Sequence, residues 1–309
     1  MNVMPTLVRR EFQEHRALWA APLAMAVILV LVAVFGHFEM ATMTALSADQ
    51  ARAIMGITVW AMSLAIFLIA GIVLSFYLLD CLYADRRDRS ILFWKSLPVS
   101  DAATVLAKFA VALVVVPLGV FALALVTDLA VRGILTLRTG AGLMVEQFPL
   151  WDTRAWLQTQ ALLALLLAAT LLWYAPLAAY LLVISAWARR NVVMWALLPP
   201  LVIALVERLA LHTSRFWDFI TDRMEPAFPV MAGVEAQVRA SIVTIHREQV
   251  VSLPRLFEQI DVTSIFINWQ MLLGLLIAAA LLFAAIRLRR WRDDHRLDLE
   301  PLQMAPQRA

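Results

Sequence analysis

Residues 17–36 read ALWAAPLAMAVILVLVAVFG, twenty residues without one charged side chain. As a helix rising 1.5 Å per residue, such a run covers the ~30 Å hydrocarbon core of a bilayer. Five further apolar runs follow: Ile57–Leu79, Val105–Thr127, Ala161–Trp187, Val192–Val206 with an extension to Leu211, and Ile265–Ile286. Inside hydrocarbon, every backbone N–H and C=O must be satisfied within the segment itself, so these runs read as transmembrane helices. The expected fold class is an all-α membrane protein with six spans.

Composition agrees. The 309-residue chain is 62% hydrophobic, with mean hydropathy +0.79. Soluble domains hold only ~45–50% apolar residues. The spans leave no room for a large soluble enzyme domain. The net charge is +3 and the pI about 9.4. The basic residues sit at span ends, where they set topology, so nucleic acid is not an expected partner. Cys81 is the single cysteine, which excludes an intrachain disulfide and a cysteine-based metal site. It reads as a small buried apolar residue at a membrane boundary. The first apolar run continues to Phe35 without a small-residue cleavage site after a short core. It is expected to be a retained span rather than a signal peptide.

Residues 1–16 carry Arg9, Arg10 and Arg16 beside an apolar stripe of Leu7, Val8 and Phe12, with Trp19 beyond. This pattern predicts an N-terminal interfacial helix lying on the inner leaflet. The N-terminus, the segment after span 2, the turn after span 4 and the C-terminal tail hold 16 of the 26 Lys and Arg residues. The positive-inside rule then places both termini in the cytoplasm. The expected division is 1–16, the interfacial helix; 17–206, spans 1 to 5 with a cytoplasmic loop at 80–104; 207–264, a periplasmic segment with short helices; 265–286, span 6; and 287–309, a cytoplasmic tail. Within 207–264, the run Ala232–Val251 places Val234, Val238, Ile242 and Ile245 near helical spacing. Pro117, Pro176, Pro199 and Pro200 fall inside spans 3, 4 and 5, where each removes a backbone donor and permits a kink.

Several function classes lack their residues. Ion-coupled transporters and pumps place ionisable groups at the bilayer midplane. Spans 1, 2, 4 and 6 have none in their cores, and Lys108 stands near the start of span 3, where it is expected to snorkel. Asp128 and the pair Glu207–Arg208 fall at outer ends. There is no H-E-x-x-H pair and no G-x-S-x-G elbow. His15, His37, His212, His246 and His295 are dispersed, and Met40 with Met43 reads as packing rather than a copper site. No catalytic residue and no metal site are expected. Neither Lys95 nor Lys108, the two lysines, follows a glycine, so no phosphate-cradling P-loop exists.

The connection after span 2, Asp80–Phe109, reads DCLYADRRDRSILFWKSLPVSDAATVLAKF. Asp85, Arg86, Arg87, Asp88 and Arg89 form an alternating charge cluster. Ile91, Leu92, Phe93 and Trp94 make an apolar run, closed by Lys95. Leu97 and Pro98 break the chain, Ser100 suits a helix N-cap, and Asp101 suits the first turn. An apolar knob rimmed by charge fits a docking element, the apolar part filling a cleft and the charges setting register. Dipping of Phe93 and Trp94 into lipid headgroups fits the same pattern, and the residues alone leave both readings open.

The stretch YADRRDRSILFWKSLPVSD, Tyr83–Asp101, resembles the first cytoplasmic loop of ABC-2 type transporter permeases, the membrane subunits of bacterial ABC exporters. About 25 residues carry this signature; the rest of the likeness is architectural, in the interfacial helix, six spans and long outer segment. The resemblance implies a coupling element at Asp85, Arg86, Arg87, Asp88, Arg89, Ile91, Leu92, Phe93, Trp94, Lys95, Leu97 and Pro98 that docks on a separate cytoplasmic ATPase. It implies a second permease copy, as a homodimer or pseudo-dimer, with the path between the two permeases. It implies export across a bacterial inner membrane. ATP and magnesium would be bound by the ATPase, this chain having no cofactor of its own. Apolar spans fit an amphiphilic or hydrophobic cargo. A non-transporting membrane scaffold or assembly factor is the alternative from another class.

Overall fold

The computed structural model describes residues 3–36, 48–88, 99–139, 153–218, 220, 266 and 269–297. Every regular element among them is helical. In chain order they are α1 (Val3–Glu14), α2 (Ala17–Phe35), α3 (Ala48–Arg87), α4 (Asp101–Ala110), α5 (Val116–Thr139), α6 (Thr153–Trp187), α7 (Val192–Val206) and α8 (Trp269–Leu297). A π-helical turn, Val111–Val115, joins α4 to α5, and a second, Glu207–Leu211, extends α7.

Six stretches are long and apolar enough to cross a membrane: Ala17–Phe35, Ala61–Arg87, Asp101–Arg138, Leu163–Trp187, Val192–Leu211 and Trp269–Trp291. They match the six expected spans. Two boundaries differ from the expected division. The helix of span 2 continues to Arg87, so the first residues of the 80–104 loop are helical. At 40 residues, α3 is ~60 Å long and outruns a ~30 Å core. The helix of span 6 likewise continues through the expected tail to Leu297. Most of 207–264 and the stripe at Ala232–Val251 lie outside the described residues.

The core runs through the middle of the bundle. Leu18 and Ala26 of α2, Ile66, Ala70, Tyr77, Leu78, Cys81 and Leu82 of α3, Val116, Val120 and Ala124 of α5, and Ala178, Leu182 and Ala186 of α6 pack together. Cys81 is buried, as expected. Alanine recurs at the contacts because lipid offers no hydrophobic drive, so close backbone approach and packing must hold the helices. Thus Ala175 and Ala179 of α6 meet Ala278 of α8.

The prolines have identifiable consequences. Pro117 has no N–H for the Leu113 carbonyl, and the π-turn directly precedes it, with the Val116 N–H bonded back to the Val111 carbonyl. Pro200 has no N–H for the Ala196 carbonyl. The Tyr180 hydroxyl donates to that carbonyl at 2.9 Å, which ties α7 to α6. At the far end from α1, the Arg138 Nη1 donates to the carbonyls of Ala33 and Gly36 at 2.8 and 3.0 Å. It thereby satisfies the last turn of α2, whose carbonyls lack helical partners.

Candidate functional site: a buried ionic cluster where four helices meet

The helix α1 closes one end of the bundle. Its stripe does not face lipid, as was expected of an interfacial helix. Leu7 is buried, and Val8 and Phe12 pack on the bundle core. The physical reason is Glu11, which lies one helical turn beyond Leu7 on the same face. Lipid would leave its carboxylate unpaired, whereas the bundle end supplies a cation and a hydroxyl.

The cation is Lys108. It was expected to reach the headgroups, yet it is 0 % exposed. Its Nζ lies 2.8 Å from Glu11 Oε1 and 3.7 Å from Asp85 Oδ2. The Tyr77 hydroxyl donates to Glu11 Oε2 at 2.8 Å. The His15 ring stands edge-on to Tyr77, centroids 4.9 Å apart, and its Nε2 is 3.8 Å from Glu11 Oε2. Snorkelling fails because α1 covers the path outward and carries a carboxylate with it.

Asp85 is the hub. Besides Lys108 it meets Arg10 Nη2 at 3.7 Å and Arg289 Nη1 at 3.1 Å. Arg289, on α8, also donates from Nε to Asp101 Oδ1 at 3.1 Å. Arg10 in turn pairs with Glu14 one turn along α1, at 2.6 Å. Three buried or half-buried carboxylates, Glu11, Asp85 and Asp101, thus share Arg10, Lys108 and Arg289. Buried charge is costly unless paired, and here each charge has an opposite partner, the Lys108 ammonium through ion-pair contacts without a hydrogen bond of ordinary geometry.

Local sequence explains the convergence. Tyr77, Cys81 and Asp85 follow one another at four-residue spacing, along the inward face of α3. On α4, Asp101, Thr104, Val105 and Lys108 share a face, and the helix starts as expected. The Ser100 hydroxyl accepts from the Ala103 N–H at 3.1 Å, and Asp101 fills the first turn. On α8, Met271, Ala278, Ala285 and Arg289 form the buried stripe.

Of the residues assigned to a coupling element, Asp85, Arg86, Arg87 and Asp88 are among those described. Arg89, Ile91, Leu92, Phe93, Trp94, Lys95, Leu97 and Pro98 lie outside the described residues. Asp85 serves the inside of the bundle. Arg86 does so too, since its Nη2 donates to the carbonyls of Ser185 and Ala188 at the end of α6. The Ser185 hydroxyl accepts from the N–H groups of Leu82 and Tyr83, both at 3.1 Å, locking the same two helix ends together. Arg87 and Asp88 are exposed and pair with each other at 3.0 Å.

Glu11, Tyr77, Lys108, Asp101 and Arg289 were not assigned as one site from the sequence. Two signals were present. Glu11 interrupts the apolar stripe of α1, and Arg289 continues the buried stripe of α8 at four residues from Ala285. Neither signal names a partner.

A smaller polar site lies midway along α5, inside the third span rather than at its outer end as expected. Asp128 is buried, and its Oδ2 accepts from Gln160 Nε2 at 2.8 Å and from the Ser63 hydroxyl at 3.5 Å. Spans 2, 3 and 4 meet there through neutral donors. Among the described residues no group of three or more His, Cys, Asp or Glu has the arrangement of a metal site. The chain matches no family model, no curated protein and no solved structure.

Proposed function

We propose that this chain is the transmembrane permease subunit of an ATP-binding cassette exporter. It works with a separate cytoplasmic ATPase that binds ATP and magnesium, and with a second permease copy. Both termini and the connection between α3 and α4 face the cytoplasm of a bacterial cell, in its inner membrane. The cargo is amphiphilic or hydrophobic and moves outward.

One observation carries the reading. The segment that resembles an ATPase-docking loop is rooted at both ends in the buried ionic cluster. Asp85 stands near its start and Asp101 at its end, and both join the same guanidinium. A surface loop that merely rests on lipid headgroups has no need of such roots. A segment that receives force from a moving partner needs them, because a hinge at either foot would dissipate the movement.

The test is reconstitution. The purified chain alone should hydrolyse no ATP. An ATPase subunit should co-purify with it, and its hydrolysis should depend on this chain. Robust hydrolysis by the single chain would overturn the reading that its energy comes from a partner, and the absence of any ATPase partner would favour the scaffold reading. A buried ionic cluster also suits a rigid assembly factor, so this alternative has its own support.

A further inference from the structure

We propose that Asp128 is a proton-binding site, where spans 2, 3 and 4 meet on a carboxyl that takes its proton from water and returns it there. The site stands apart from the exporter reading and does not depend on it.

Asp128 is 6 % exposed. Its Oδ2 accepts from Gln160 Nε2 of α6 at 2.8 Å and from the Ser63 hydroxyl of α3 at 3.5 Å. Both donors are neutral. In the ionic cluster, by contrast, Glu11, Asp85 and Asp101 each meet a Lys or Arg. Charged residues are sparse on the helices around Asp128. α2 carries none between Ala17 and Phe35. On α3 the charged residue nearest in sequence to Ser63 is Arg52, 11 positions before it, and on α6 the one nearest to Gln160 is Arg154, six positions before it. Arg132, one turn further along α5, has another partner. Among the described side chains, none forms an ion pair with Asp128; its contacts are the amide and the hydroxyl. A carboxylate buried without a cation neutralises rather than stay charged. The cation therefore comes from outside the chain.

A metal ion does not fit. It needs several oxygen ligands, whereas Asp128 meets one hydroxyl and the NH₂ end of an amide, a donor that opposes a cation. A proton does fit. On a carboxylic acid one oxygen carries the proton while the other still accepts from Gln160.

The site is placed for exchange with water at the end remote from the ionic cluster. Asp128 is ten positions, ~15 Å of helix, from Arg138 at the end of span 3, and Ser63 and Gln160 stand close to the ends of spans 2 and 4. One turn before Gln160, on its face of α6, Trp156 Nε1 is buried without an acceptor. An orphaned N–H there points to an acceptor from outside the chain, and water is one. On binding, a lone pair of the carboxylate takes a proton from hydronium and leaves water. On release, the O–H bond breaks, its electron pair stays on the carboxylate, and water takes the proton.

Infrared difference spectra of the full chain, in a detergent without ester groups, test this against Asp128→Asn. At about pH 5.5 an ordinary aspartate is ionised. The parent should there show the carbonyl stretch of a protonated acid that the variant lacks, and alkali should convert it to carboxylate bands. Gln160→Leu removes the donor and keeps the acid, so it should shift the band without abolishing it. That shift assigns the band to Asp128 even if Asp128→Asn fails to fold. Carboxylate bands alone at about pH 5.5 overturn the proposal. So does an acid band that alkali leaves in place until the chain unfolds. Loss of the band on adding sodium at constant pH would make the occupant a metal ion, which also overturns it. Thermal unfolding gives a second readout. The folded parent holds a proton that the unfolded chain has released, so its stability should fall relative to Asp128→Asn as pH rises from ~4 to ~8. The difference in melting temperature should change by at least ~2 °C over that range. A constant difference would mean that no proton is exchanged at this carboxyl.

Discussion

Lys108 Nζ sits 2.8 Å from Glu11 Oε1, joining the short first helix to the third span where neither residue meets solvent. Two charges brought out of water are costly, and their attraction offsets that cost only when both are present. Removal of either partner therefore exposes the full penalty of the other.

Lys108→Met or Glu11→Gln alone should each destabilise the chain by ~3–5 kcal/mol. The double variant should cost less than the sum, with a coupling of about 1–3 kcal/mol, because Asp85 keeps Arg10 and Arg289. Thermal unfolding in detergent would measure the cycle. Strict additivity would mean the two side chains do not act as a pair.

Arg86 and Arg87 are neighbours with different work. Arg86→Glu would place a carboxylate against the carbonyls of Ser185 and Ala188 and should cost ~2–3 kcal/mol or more. Arg87→Glu, on the exposed side, should stay within about 0.5 kcal/mol. Melting temperatures of the two variants, compared side by side, decide this; equal losses would contradict the arrangement.

Docking should depend on the apolar run more than on its rim. Phe93→Ala with Trp94→Ala should weaken binding of the ATPase by ~2 kcal/mol or more, and Arg87→Glu by under ~1 kcal/mol. Pull-down of the ATPase and its hydrolysis rate are the readouts. Full binding by the aromatic double variant would make this segment a membrane-surface anchor.

Asp128 holds Gln160 and Ser63 through one oxygen. Asp128→Asn keeps an acceptor and should cost under ~1 kcal/mol, whereas Asp128→Ala leaves buried donors unpaired and should cost ~1–3 kcal/mol. Detergent melts would rank the two. Greater damage from Asn than from Ala would show that the carboxylate's charge matters beyond these hydrogen bonds.

Sidedness is open to direct test. In a Cys81→Ala background, a cysteine at Trp217 should react with an impermeant maleimide in intact cells, and one at Gln13 only after permeabilisation. Both parent side chains are exposed, so reagent access is not limiting. The reverse pattern would invert the orientation read from the basic residues.

Six apolar runs, Ser100 as a helix cap and burial of Cys81 were all legible in the chain. Each depends on a local quantity: segment length against bilayer thickness, a side-chain oxygen three residues from an N–H, or the small size and apolar character of one residue. Span ends were legible only within several residues. A helix stops being required outside hydrocarbon yet is free to continue, as α3 does to Arg87 and α8 to Leu297.

The ionic cluster was not legible. Local pattern describes Lys108 as a lysine near a span end, and such a lysine reaches for headgroups when nothing covers it. Whether it is covered depends on where α1 lies, and α1 lies there because Glu11, 97 positions away in the chain, needs a cation. Asp85 and Asp101 likewise meet on Arg289, some two hundred residues distant. The sequence by itself determined that this chain fills a membrane with helices, because desolvation of apolar and peptide groups is counted segment by segment. Only the tertiary structure decided which charges leave water, because burying a charge is affordable solely where folding delivers its partner.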